Sequence, residues 1–177
     1  MADDGAGVRV RVLGGDDWML LRDIRLRALQ DSPSAFGSTY DGEAGFGESH
    51  WRDRLESDDS VSVLAELDGR PVGMAGGFPD LPGLLHVVAM WVDPTARGRG
   101  VGHALLRVVE GWARERALGL HLDVNTANCT ARRAYERYGF RATGETRPLR
   151  EGSAEVVERM LLADPSDLQR HTAKNPG

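Results

Sequence analysis

A mixed α/β fold is what this 177-residue chain predicts, and three observations lead there. Apolar residues alternate with period two in several short runs, which marks half-buried strands. Two longer stretches carry the 3.6-residue spacing of amphipathic helices. The order is a strand, a helical region, two consecutive strands, then strand–helix–strand–helix–strands, which implies a mixed sheet whose 84–124 unit is a parallel crossover.

Each element has a local reason. "VRVRVL" (8–13) alternates as a strand. Asp16 or Asp17 can cap a helix reaching about Gln30, with Leu20, Leu21, Ile24 and Leu29 roughly on one face. Residues 31–49 read as a loop that carries Phe36, Tyr40 and Phe46, and 48–57 as a short helix around Trp51. "SVSVLAEL" (60–67), the turn Asp68-Gly69 and "RPVGMAGGF" (70–78) form a hairpin signal. "LLHVVAMWV" (84–92) is a more buried strand, followed by "DPTARGRG" and an amphipathic helix over about 100–117. Residues 118–125 return as a strand, 128–139 form a helix stopped by Gly139, and 140–147 and 154–162 are closing strands. A single domain over 1–163 is expected, with a frayed tail at 164–177.

Composition narrows the function. A net charge of −5 argues against a general nucleic-acid binder. One cysteine, Cys129, excludes an internal disulfide framework, and no Cys/His spacing resembles a zinc site, so no metal is expected. The acidic opening "MADDGAGVRV" lacks a signal-type apolar segment, and no run is long and apolar enough to span a membrane. A cytoplasmic enzyme or binding module without nucleic-acid or membrane partners fits these bounds. Self-association as a homodimer stays open.

The segment "RGRGVG" (97–102) carries three glycines that are costly at a helix start unless backbone amides must approach an anion. A Walker A loop requires a lysine that is missing here. A dinucleotide fingerprint requires GxGxxG directly after a strand, whereas His103 occupies the last glycine position and "DPTA" intervenes. What stands is Arg97-x-x-Gly100-x-Gly102, after "WVDP" and opening a helix. This resembles the pyrophosphate motif of the GNAT superfamily, the acetyl-CoA-dependent N-acetyltransferases. "NCTARRAYERYGF" (128–140) resembles the family's later motif through Asn128, Ala131, Ala134, Tyr135, Glu136, Gly139 and Phe140. The resemblance covers about 8–162 and is sharp from 84 to 140.

The resemblance implies a V-shaped mixed sheet of about six to seven strands flanked by about four helices. It implies acetyl-CoA as co-substrate, with pantetheine in the gap between the strands at 84–92 and 118–124. Met90, Trp91 and Val92 would bind it through main-chain groups. Arg97, Gly98, Arg99, Gly100, Val101, Gly102 and His103 would hold the pyrophosphate, beside Asn128 and Tyr135. Tyr135 matches the general acid toward the coenzyme thiolate, in preference to Tyr138. His86, 11 residues before Arg97, and Asp123, five before Asn128, compete as general base. His86 ranks slightly ahead because an imidazole near pKa about 6.5 accepts a proton at neutral pH, and a water relay is the third option. Phe36, Tyr40 and Trp51 are expected to shape the acceptor site. The implied reaction is direct acetyl transfer to a primary amine of a small molecule or a peptide, and the acidic balance mildly favours a cationic acceptor. A non-catalytic acyl-CoA-binding or sensor module on the same fold is the alternative. The residues leave the identity of the amine and the acyl-chain preference open.

Overall fold

The computed structural model describes residues 2–3 and 7–162, so the expected tail at 164–177 lies outside the described residues. Eight strands make one sheet: β1 (Ala2–Asp3), β2 (Val8–Val12), β3 (Val61–Leu67), β4 (Arg70–Leu81), β5 (Leu84–Val92), β6 (Gly119–Asn125), β7 (Phe140–Pro148) and β8 (Val156–Leu162). Their spatial order is β1-β2-β3-β4-β5-β6-β8-β7. Among the described strands only the β5–β6 pair is parallel. Among the described residues five α-helices accompany the sheet: α1 (Trp18–Asp31), α2 (Tyr40–Ala44), α3 (Glu48–Glu56), α4 (Val101–Arg114) and α5 (Cys129–Tyr138). The two-residue β1 and the one-turn α2 are additions to the pattern expected from sequence. Among the described residues no helix is long and apolar enough to cross a membrane.

Strand alternation explains why the sheet is covered on both faces. On β3, Val61, Val63, Ala65 and Leu67 belong to one core, while Leu64 turns to the other. The first core is closed by α4, whose Val101, Ala104, Leu105, Val109 and Ala113 recur at helical spacing and are buried. A Cβ on Gly73 of β4 would meet Val101 Cγ1 at 2.9 Å and Leu105 Cδ1 at 3.1 Å. Glycine there lets the start of α4 rest directly on the sheet. The second core packs Leu21, Ile24 and Leu29 of α1 and Trp51 of α3 against Leu64, Met74 and Trp91. Asp17 does precede α1, but its carboxylate binds the Arg11 guanidinium at 2.9 Å and the Gly14 N–H at 3.0 Å instead of capping the helix.

The sheet splays at one place. β5 and β6 pair only from Leu84–Val87 against Gly119–Leu122. Beyond this, β5 holds one extra residue against β4: Met74 faces Trp91 and Gly76 faces Val88. Ala89 in this bulge has φ 55°, and a bulge turns its strand away from the neighbour. From residue 88 onward β5 has no β6 partner, and Asp123, Val124 and Asn125 of β6 pair only with β8. The V-shaped gap therefore leaves main-chain polar groups on one edge of β5 open to a ligand.

Candidate active site

The glycine-rich loop starts at Asp93, whose Oδ1 accepts from the Thr95 N–H at 2.9 Å and the Thr95 hydroxyl at 2.6 Å. Gly98 and Gly100 have φ of +76° and +81°, a region that L side chains rarely adopt. A Cβ at either position would meet nothing within 4 Å, so the space above the loop is free. Gly100 caps α4, and the first N–H groups of a helix have no intrahelical partner. These residues fit a diphosphate through backbone donors and a helix N-terminus. Arg97 is committed elsewhere: its Nε donates to Val92 O at 3.0 Å and its Nη2 to Asp31 Oδ2 at 2.7 Å. Asp31 also accepts from Trp91 Nε1 at 2.9 Å and from the Ser32 hydroxyl at 2.7 Å. The Ser32, Trp91 and Arg97 hydrogen bonds hold its carboxyl below the usual range. Arg97 thus braces the loop against α1, and Arg99 is exposed.

Two cavities lie along the gap. One of about 740 Å³ is lined by Met90, Trp91, Val92, Arg97, Gly98, Gly100, Val101, Gly102 and His103, and by Asn128 and Tyr135. Every coenzyme-site residue inferred from sequence except Arg99 lies on its wall. The other, of about 660 Å³, is lined by Phe36, Phe78, His86, Asp123, Asn125 and Arg147 among others. Ala35, Met90, Asn128, Ala131 and Tyr135 belong to both walls. The cavities therefore meet where the bulged strand faces the start of α5. Asn128 sets that start, its Oδ1 accepting from the Ala131 N–H at 3.0 Å.

The two tyrosines of α5 differ in what their hydroxyls do. Tyr138 donates to Glu110 Oε2 at 2.6 Å, and burial and that carboxylate raise its phenol far above its ordinary value. Tyr135 packs edge-on against Phe140, with ring centroids 5.9 Å apart. Its hydroxyl has no hydrogen-bond partner among the described residues, and burial pushes its phenol up to about 12. It is a protonated donor at the junction of the two cavities.

His86 and Asp123 share the second cavity, with His86 Nε2 3.7 Å from Asp123 Oδ2. Asp123 accepts from Arg147 Nη2 at 2.7 Å and Nε at 3.1 Å, and from Arg159 at 3.3 Å. Burial pushes its carboxyl up, but the Arg147 hydrogen bonds and charge, with His86 and Arg159 nearby, outweigh this and leave it below the ordinary range. Burial, with His121 alongside, depresses the His86 pKa against the opposing pull of Asp123 and Asp80.

Two residues missed from sequence complete this cluster. His121 is fully buried and stacks on His86 with ring centroids 4.4 Å apart. The Asp80 carboxylate reaches His121 Nε2 at 2.6 Å and His86 Nδ1 at 3.0 Å. Donor atoms of the three side chains all lie within 4.8 Å of one another. Their signal was present in part, since His121 stands two positions before Asp123 on one strand face. The register His86↔His121 is what joins them.

The aromatics expected around the acceptor separate. Phe36 lines the second cavity, with the Arg25 guanidinium 4.7 Å from its ring centre. Tyr40 lies on neither cavity wall and is partly exposed. Trp51 is fully buried, its Nε1 donating to Phe46 O at 3.2 Å, and reaches neither wall. An amphipathic helix buries its large aromatic in the core unless something else fills that place.

A splayed mixed sheet with a glycine loop and helix N-terminus at the splay defines a class of protein that holds an anionic ligand along an open strand edge. The model of the acetyltransferase (GNAT) family matches residues 23–140, and the chain belongs to that family. It is 36% identical over 115 residues to the acetyltransferase Atu2258 of Agrobacterium fabrum, covering 63% of this chain and 75% of that protein. It is 34% identical over 120 residues to a streptothricin acetyltransferase of Streptomyces lavendulae, covering 65% of this chain and 64%, just under two thirds, of that protein. A solved GNAT acetyltransferase from Streptococcus pneumoniae superposes with a TM-score of 0.72 at 21% identity, over 88% of this chain and 99% of the other.

Proposed function

We propose that the protein transfers the acetyl group of acetyl-CoA directly to a primary amine of a small molecule in a ternary complex. The observation that carries this reading is the junction of two cavities at Met90 and Tyr135. One cavity has the backbone donors for a coenzyme, and the other has His86 as a base, with the Asp53 and Asp123 carboxylates and the guanidiniums of Arg25, Arg54 and Arg147 on its wall. Its volume of about 660 Å³ lies within the usual range for small-molecule sites, about 300–1,000 Å³. The streptothricin acetyltransferase among the relatives adds support for a small-molecule acceptor.

The geometry supports the following roles. The amides at Gly98–His103 hold the pyrophosphate, with Arg97 bracing the loop. The open edge of β5 at Met90–Val92 holds pantetheine, and a main-chain N–H there polarises the thioester carbonyl. His86 Nε2 removes a proton from the acceptor ammonium. The amine nitrogen bonds to the carbonyl carbon, the carbon–sulfur bond breaks as Tyr135 gives its proton to the leaving sulfur, and the second proton of the acylated nitrogen restores the Tyr135 phenol, leaving the amide and the free thiol. Asp123 is the weaker base candidate, because Arg147 and Arg159 already compensate its charge.

Thiol release from acetyl-CoA, followed across a panel of polyamines, amino acids, aminoglycosides and peptides, tests the reading. Amine-dependent release with formation of the acetylated product is expected. Tight acetyl-CoA binding with no release on any amine would return the sensor module to favour.

A further inference from the structure

We propose that Asp80 and His121 are positioning residues that hold His86 with a proton on Nδ1 and its Nε2 lone pair turned to the acceptor cavity. This rests on the reading of His86 as base. A carboxylate can only accept, so the hydrogen bond at 2.6 Å requires His121 to donate through Nε2; Asp80 Oδ2 lies 3.0 Å from His86 Nδ1, an ion-pair contact that favours a proton on Nδ1 over a lone pair facing the carboxylate. Each Asp80 oxygen thus faces one imidazole. His86 is left with one free nitrogen, Nε2, on the side of Asp123 and the cavity. His121 Nδ1 is buried and has no partner among the described residues.

Three adjacent strands build the arrangement. Phe78, His86 and His121 are cross-strand neighbours on β4, β5 and β6, and the parallel β5–β6 pairing stacks the two imidazoles. Stacking fixes the ring plane of His86, and Asp80 fixes its rotation. His121 serves Asp80 as a second donor that keeps the carboxylate from turning away. The charged and titratable groups facing His86 are Asp80 from β4, His121 and Asp123 from β6, and Arg147 from β7. Asp80 offers counter-charge to the imidazolium that forms when Nε2 takes the proton, while His121 and Arg147 oppose it. A simple structural cluster would stiffen the sheet without selecting a tautomer.

Long-range ¹H–¹⁵N NMR of the histidines separates these cases without reference to turnover. In the wild-type protein His86 should be the Nδ1–H form and His121 the Nε2–H form. Asp80→Asn should abolish the single tautomer at His86, lower kcat by about 10²-fold and move the ascending limb of kcat/KM to lower pH. The KM for acetyl-CoA should stay unchanged. Asp80→Glu should recover part of kcat, and His121→Gln should give a smaller loss of the same kind. An Nε2–H tautomer of His86 in the wild type overturns the proposal whatever the variants do. So does Asp80→Asn if tautomer and limb both stay in place. If instead His86→Gln keeps the ascending limb, it is the base assignment that fails, and the tautomer result still reads the positioning.

Discussion

Replacing Tyr135 by Phe removes one oxygen at the meeting point of the two cavities. That hydroxyl has no protein partner among the described residues, so its loss leaves no buried group unsatisfied, and stability should hardly change. With the phenol pushed up to about 12, Tyr135 is protonated throughout any assay between pH 6 and 9. The same burial that makes it a weaker acid also raises the proton affinity of a sulfur anion beside it. A hydrogen bond to such a charge is worth about 1.5–3 kcal/mol, which corresponds to about 10- to 150-fold in rate. Tyr135→Phe should therefore lower kcat by about two orders of magnitude, with the KM for acetyl-CoA nearly constant. Tyr138→Phe supplies the opposite pattern. It breaks the hydrogen bond to Glu110 and should lower Tm by a few degrees, at a cost of about 1–2 kcal/mol, while kcat stays put. Steady-state kinetics and thermal melts on both variants decide the matter. Equal kcat losses, or a loss below about fivefold for Tyr135→Phe, would refute the acid assignment.

Other consequences are equally direct. Gly100→Val places a β-branched residue at φ +81° in the diphosphate site, so acetyl-CoA should no longer raise Tm, and an undiminished shift would remove the loop from the coenzyme site. Asp31→Asn weakens the brace on Arg97 and should raise the KM for acetyl-CoA several-fold with kcat unchanged, as read from initial rates; a kcat effect alone would contradict the bracing role. Glu43 is buried with Arg25 at 2.7 Å and Arg54 at 3.1 Å; burial opposes its ionisation, but these guanidiniums win and bring its carboxyl from 4.5 to about 2. Its stabilisation is therefore complete above the unfolded pKa and is lost as pH falls from about 4.5 toward 2. Glu43→Gln should cost about 3 kcal/mol at pH 7, with denaturation curves of variant and wild type converging near pH 2–3, and a gap independent of pH would exclude the ion pair as its source.

The elements that sequence revealed best are those whose pattern is also their packing. β5 runs Leu84–Val92 as its apolar run implies, and α4 buries the face that its periodicity marks. The glycine loop was legible because positive φ and open space both demand glycine there. α2 was not: "YDGEA" has neither length nor propensity, and the turn forms because Thr39 caps it and Glu43 is captured by two arginines from neighbouring helices. The hairpin signal in the sequence covers β4 only to Phe78. The strand continues through Pro79 and Asp80 to Leu81, and that extension delivers the carboxylate to His86. The bulge at Ala89 carries no composition signal, because the conformation is imposed by pairing on one side only. Trp51 shows the reverse error of inference, an aromatic picked as a cavity wall that the second core absorbs.

Direct transfer at the cavity junction is tested most sharply by initial rates with acetyl-CoA and an active amine both varied, together with the intact mass of the protein during turnover. A ternary complex predicts intersecting double-reciprocal lines, one free thiol per acetylated amine, and a chain that never gains an acetyl group. Parallel lines with an acetylated protein, for example at the exposed Cys129, would contradict it.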